Sequence, residues 1–193
     1  MNNVYFTSLE SDFAKELASW FEKNGFKVTT ELTTGIEFFI DTTDAEIEGD
    51  DKAVGEGISS AAGALAYNTY VSEPLEKLTK VLQYMVGRKR ICFLSSRSSS
   101  VSESAAVSGF GKNMSRAAMH NILTITKNGL IEQGFTFRLF DPMTGDYPAE
   151  KAAASAFVYF TRDRFWDDSD DSKFRQDERN LIIRDALGRE IPW

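Results

Sequence analysis

Val4-Tyr-Phe-Thr-Ser-Leu-Glu-Ser-Asp-Phe-Ala14 carries a short apolar strand into a helix through a turn that contains no glycine. Val4–Phe6 is the strand. Ser11 or Asp12 is placed to cap the helix, and Phe13, Leu17, Trp20 and Phe21 recur at helical spacing until Asn24-Gly25 ends it. Phe26-Lys-Val-Thr-Thr30 then resumes as a strand. A strand–helix–strand unit of this kind can hold a dinucleotide only where glycines let backbone N–H groups approach the diphosphate closely. Here the turn presents Thr7, Ser8, Glu10 and Asp12. A unit charge pair roughly 5 Å apart at an effective dielectric of about 20 is worth ~3 kcal/mol. Two carboxylates facing a diphosphate would therefore cost more than the helix dipole returns. Glu10 and Asp12 instead suit the positive end of a helix, as caps. The turn is not built to hold a phosphate.

Composition frames the rest. The 193 residues, 42% hydrophobic with four prolines, suit one domain, residues 1–193, with a sizeable core. No apolar run approaches the ~18 residues of a membrane helix and the N-terminus lacks a secretion pattern, so a cytoplasmic protein with no membrane partner is expected. A net charge of −7 argues against nucleic acid as a partner. The single cysteine, Cys92, lies in apolar Ile91-Cys-Phe-Leu94, which excludes an intramolecular disulfide and points to burial. Arg88-Lys89-Arg90, the only basic cluster, reads as the solvated start of a strand.

Strands and helices alternate along the remainder. Ile36–Ile40 is a largely buried strand, and Asp41–Glu56, with seven carboxylates and one lysine, reads as a surface loop. Ile58–Val86 is a long helix or two, broken near Ser72-Glu-Pro74. Ile91–Leu94 is a strand, Ser95–Ser104 a serine-rich loop, Ala105–Gln133 mostly helix, and Phe135–Phe140 a strand. Pro148–Arg162 is a helix with proline at its first position, Asp163–Arg179 a charged loop, and Asn180–Ile183 a closing strand before a turn near Gly188. This order predicts an α/β fold with a mainly parallel sheet. Only about four residues separate the strand that ends near Thr30 or Glu31 from the strand at Ile36. A parallel crossover normally needs a dozen or more, and such a link spans at most roughly 17 Å. Residues 26–35 are thus expected to form a short or irregular edge strand, with no helix of its own behind it.

Taken together, the landmarks resemble those of the short-chain dehydrogenases/reductases, closely from Ile36 onward and more loosely before it. Phe38-Phe-Ile-Asp-Thr-Thr43 stands where that family has a strand ending in Asn-Asn-Ala-Gly. Asn68, in Tyr67-Asn-Thr-Tyr-Val71, matches the asparagine that opens the next long helix. Ile91-Cys-Phe-Leu-Ser-Ser96 matches the strand that ends at the catalytic serine, which puts Ser96 in that slot. Ser115-Arg-Ala-Ala-Met-His-Asn-Ile122 resembles the Ser-Lys-Ala-Ala pattern of the catalytic helix. Phe137-Arg-Leu-Phe-Asp-Pro142, Pro148-Ala-Glu-Lys-Ala-Ala153 and Leu187-Gly-Arg189 resemble, in order, the later strand, late helix and final strand region. The resemblance implies a Rossmann-like, doubly wound sheet, shortened by loss of the helix–strand–helix after the second strand.

The departures point the other way on chemistry. The family's Tyr-x-x-x-Lys places a phenol and an ammonium one helical turn apart, so that the cation eases proton transfer. Here Lys112 occupies the tyrosine slot and Arg116 the lysine slot. Two cations at this spacing repel, and arginine does not donate a proton at neutral pH. Asn68 and Ser96 remain as remnants of the four catalytic slots. The glycine turn is missing, and the Asn-Asn-Ala-Gly loop has become Asp41-Thr-Thr-Asp44. Glu31 falls about 20 residues past the first turn, where such folds carry a ribose-binding acid, although a plain strand-end glutamate explains it as well. His120, the lone histidine, suits packing or helix surface, and no metal site is apparent: the acidic stretch lacks a calcium-loop pattern. Ser95–Ser100, five serines around Arg97, reads as a loop rather than an anion site.

The expected function is therefore a non-catalytic assembly or partner subunit of an oxidoreductase complex, with no cofactor. It would pair as a homo-oligomer, or with an active short-chain dehydrogenase, through helices near 68–86 and 105–133. The alternative is an atypical NAD(P)-dependent oxidoreductase acting on a small carbonyl or alcohol, or a catalyst that uses Ser96, Asn68 and Lys112. A signalling module of receiver type is disfavoured, because Thr7-Ser8 stands where its acidic pair belongs.

Overall fold

The computed structural model describes residues 2–52, 59–162 and 178–192. Strand β1 (Asn3–Phe6) leads to helix α1 (Asp12–Lys23), then β2 (Lys27–Thr29) and β3 (Ile36–Asp41). Helices α2 (Ser60–Tyr67) and α3 (Glu73–Leu82) are joined by a π-helical segment, Asn68–Ser72, and β4 (Met85–Leu94) follows. Helix α4 (Phe110–Leu130), β5 (Thr136–Asp141), α5 (Ala149–Thr161), β6 (Ile183–Asp185) and β7 (Glu190–Ile191) complete the order. The sheet runs β2-β1-β3-β4-β5-β6-β7, parallel throughout except for the β6–β7 pair.

Alternation along the strands splits the core in two. Phe6, Phe38, Ile40, Cys92 and Phe140 face α1 and α5. Tyr5, Phe39, Ile91, Phe93 and Leu139 face α3 and α4. Each face is covered by helices, as an apolar parallel sheet requires. Cys92 is fully buried, and burial pushes its thiol up to about 12.

The short link behaves as its length dictates. β2 pairs with only Asn3–Tyr5 of β1, so residues 30–35 descend roughly 7 Å and cross roughly 10 Å sideways beneath β1. Asn3 fixes the passage: its N–H donates to Gly35 O at 3.1 Å and its side-chain amide to Thr34 O at 2.7 Å. The edge strand is three residues long, and the usual helix and strand beyond it are absent because no chain remains to form them.

Several local expectations need correction. Ser11 alone caps α1, accepting from Ala14 N, while Glu10 and Asp12 stay exposed at that helix end. The acidic stretch is not simply a surface loop. Asp41 ends β3 and is buried, and Asp50 is buried against the first turn of α4, accepting from the N–H groups of Gly111 and Lys112. Helix α4 starts at Phe110 rather than 105, because Gly109 is left-handed at φ +72°. Gly111 is required where α4 crosses α2: a Cβ there would lie 3.0 Å from both Ala66 Cβ and Asp50 Oδ1. The break near Ser72 is a π segment, not an interruption: Tyr67, Ser72 and Glu73 at its ends all keep right-handed helical dihedrals, and Pro74 stands in the first turn of α3. Pro148 precedes α5 as its cap. The closing strand is Ile183–Asp185, and residues 53–58 and 163–177, which include most of the expected charged loop, lie outside the described residues.

Arg88-Lys89-Arg90 is not a solvated cluster either. Arg88 pairs with Glu37 at 2.7 Å. Arg90 is buried beside Arg138 and Glu178, and both guanidiniums donate to carbonyls at the C-terminal end of α5.

Candidate functional site

The C-terminal ends of β3, β4, β5 and β6 open onto a cavity of about 570 Å³, the position where open α/β sheets bind ligands. Its walls come from Asp44 after β3, Ser95 and Ser96 after β4, Lys112 and Arg116 on α4, Asp141 at the end of β5, and Asp185 and Arg189 of the β6–β7 hairpin.

Its centre is Asp44. Lys112 Nζ lies 2.7 Å and Arg116 Nη2 3.2 Å from the same Asp44 oxygen. The expected repulsion between the two cations is therefore relieved by a carboxylate from a distant loop, which helical spacing alone did not reveal. Burial pushes the Asp44 carboxyl up, but the Arg116 charge and the Lys112 hydrogen bond outweigh it and hold the group below the usual carboxylate value. Tyr70, on the π segment, lays its ring against both cations, 5.6 Å from Lys112 Nζ and 5.0 Å from the Arg116 guanidinium carbon, and donates its hydroxyl to Ala45 O. Arg116 Nε has no hydrogen-bond partner among the described residues.

Of the remnant slots, Ser96, Lys112 and Arg116 share the cavity wall. Asn68 does not: it is exposed and donates to Glu73 Oε1 at 2.7 Å. Ser96 caps a 3-10 turn, Arg97–Ser99, accepting from Ser98 N. The serine that meets a potential base is its neighbour, Ser95, whose Oγ lies 2.8 Å from His120 Nε2. Burial pushes that imidazole down to about 4, and the Arg116 charge adds to the effect, so His120 is neutral at pH 7 and a weak base. This pair had no signal in the sequence, since 25 residues separate its members. Asp141 is buried and raised by burial, against the N–H groups of Met143 and Arg97 that it accepts.

The glycine-free turn is laced to β3. Thr7 Oγ1 donates to Asp41 Oδ1 at 2.7 Å, and Thr42 N donates back to Thr7 Oγ1 at 3.0 Å. Ser8 bonds Thr42 Oγ1 through both its N–H and its carbonyl. Lys77 reaches from α3 to Thr7 O at 3.0 Å. Burial raises the Asp41 carboxyl, opposed by the hydroxyls of Thr43 and Thr7. Glu31 is exposed, its backbone turned onto Thr29 Oγ1 just past β2. Among the described residues no group of three or more His, Cys, Asp or Glu side chains is placed to hold a metal.

The fold itself has solved counterparts. A Burkholderia multivorans protein assigned as a short-chain alcohol dehydrogenase superimposes over 100% of this chain and 99% of its own, with a TM-score of 0.73 at 11% identity. The fold is that of a short-chain dehydrogenase/reductase. A carbonyl reductase of Pseudomonas aeruginosa PAO1 in complex with NADP matches over 100% of both chains, with a TM-score of 0.73 and 15% identity. A Caenorhabditis elegans protein assigned as the carbonyl reductase Sniffer matches over 100% of this chain and 99% of its own, with a TM-score of 0.73 and 12% identity. No family model and no curated protein matches the sequence. Within this short-chain dehydrogenase fold, the cavity described above occupies the ligand-facing end of the sheet.

Proposed function

We infer that this chain is a non-catalytic subunit with a short-chain dehydrogenase fold, acting by assembly with another chain of that fold, either a second copy or an active dehydrogenase. The observation that carries the reading is the Lys112–Asp44–Arg116 cluster. It replaces the phenol–ammonium pair of the family's catalytic helix with two cations that share one carboxylate, so neither slot holds the phenol that protonates a carbonyl.

Cofactor chemistry fits poorly. Structurally similar dehydrogenases carry NADP. The turn between β1 and α1 does not suit a diphosphate. Its Ser8 N–H is taken by Thr42 Oγ1 and its Glu10 N–H by Ser8 Oγ, and Glu10 and Asp12 carry negative charge beside it.

The surface of α4 supports assembly. Its charged residues Lys112, Arg116 and Lys127 turn to Asp44 and to the carbonyl of Arg179. Among its exposed residues are Phe110, Met114, Asn121 and Ile125, the last 67% exposed, and on α2, which packs against α4, Leu65 is half exposed. A charge-free, apolar two-helix face in a chain that is 26% charged suits contact with another protein surface.

Light scattering on protein purified from its native host should find an oligomer, and Leu65→Asp with Ile125→Asp should reduce it to a monomer. A monomeric wild type would overturn the assembly reading. Titration with NADPH, followed through tryptophan fluorescence, should show no saturable change. Saturable binding with turnover of a small carbonyl would favour an atypical NAD(P)-dependent oxidoreductase instead.

A further inference from the structure

Beside the cavity, on the other side of Ser98, Ala106, Ser108 and Asn113, lies a second groove of about 310 Å³. Its apolar wall is built by Val101 and Val107 from the loop before α4 and by Phe110, Met114 and Ala117 from the helix itself. Val101 is 86% and Val107 80% exposed, and neither contributes to the core. Two β-branched apolar side chains this exposed offer area whose burial by a ligand is favourable.

The charge of the groove says what that is. Among the described residues Lys52 lines it and no carboxylate does; the remaining polar lining is serine and Asn113. In a chain of net charge −7, a concave surface whose described lining carries one ammonium and apolar walls is complementary to a molecule with one negative head and an alkyl tail. We propose that this groove binds a medium-chain fatty carboxylate, with the head at Lys52 and the chain along Val101, Val107, Phe110 and Met114. Its volume stands at the small end of ligand sites, which fits a chain of moderate length rather than a long lipid. The proposal does not rest on the assembly reading, although Phe110 and Met114 belong to both surfaces.

Calorimetric titration of the full chain with hexanoate, octanoate and decanoate, below their micelle concentrations, tests it. One molecule should bind per chain, tightening by up to about fourfold for each methylene buried. Decanol and decylamine should bind more weakly than decanoate. Lys52→Gln should weaken decanoate about two- to fivefold, the size of an exposed charge pair, and Val107→Asp should abolish binding. Val107 lies in solvent, so its replacement leaves the fold intact, which circular dichroism would verify. Ile125→Asp should disrupt assembly and bind decanoate at least as tightly as the wild type, because Phe110 and Met114 are then uncovered, which separates the two readings. The proposal falls if decanoate shows no saturable binding, if several molecules bind per chain, if decylamine binds equally well, or if Val107→Asp has no effect.

Discussion

Two clusters in this molecule share a recipe, two cations around one carboxylate, and differ in what surrounds them. Beneath α5, Arg90 and Arg138 converge on Glu178, and both also donate to the carbonyls of Tyr159, Phe160 and Arg162. Those carbonyls form the negative end of a helix, so the guanidiniums satisfy a helix terminus as well as an acid. At the opposite end of the sheet, Lys112 and Arg116 converge on Asp44, but Arg116 Nε has no partner among the described residues and the Lys112 side chain is 31% exposed. The first cluster is closed and structural. The second is open, and its groups face space a ligand can enter.

The contrast predicts unequal costs. Arg138→Ala strips Glu178 and a helix end of a fully buried partner and should cost about 3–5 kcal/mol, read from urea unfolding. A loss below about 1 kcal/mol would mean that the closed cluster is dispensable. Gly111→Ala forces a methyl group against Ala66 and Asp50 and should cost about 1–3 kcal/mol by the same measurement.

Asp44→Asn should cost less, about 1–2 kcal/mol at pH 7, since the pair is partly solvated. Because the native Asp44 carboxyl is held low, its contribution is complete above the usual carboxylate range and lost as pH falls through the native value. The gap between wild type and Asp44→Asn should therefore close in acid, and a gap that stays constant would contradict the pairing.

At pH 7 the smallest effect is expected at His120. The unfolded imidazole titrates near 6.5 and the native one near 4. Between these values only the unfolded chain gains a proton, so wild-type stability falls as pH drops from about 6.5 toward 4. His120→Gln removes that fall. Urea unfolding at pH 7 and pH 5 should show the variant approaching or overtaking the wild type at the lower pH.

Much of the architecture was written in local patterns. The turn at Thr7–Asp12 and the spacing of Phe13, Leu17 and Phe21 specify a strand feeding an amphipathic helix. The brevity of residues 30–35 forces a shortened sheet edge, because chain length is a hard geometric limit. The site was half legible. Ser96, Lys112 and Arg116 were placed by order along the chain and do share a wall, whereas Asn68 sits on an exposed helix surface and Ser95, not its neighbour, meets His120. Nothing at Asp44 or Asp50 distinguished them from five other carboxylates in an acidic stretch.

The sequence by itself determined the alternation of strands and helices, the clipped sheet and the loss of a glycine cradle. These follow from periodicity, reach and residue type, all properties of neighbours along the chain. Only the tertiary structure decided that Asp44 reconciles Lys112 with Arg116, that Asp50 caps α4, and that Arg90 is buried rather than solvated. Each of those outcomes depends on a charge delivered from 40 or more residues away, and an electrostatic partner is chosen by distance in space, which a linear pattern does not encode.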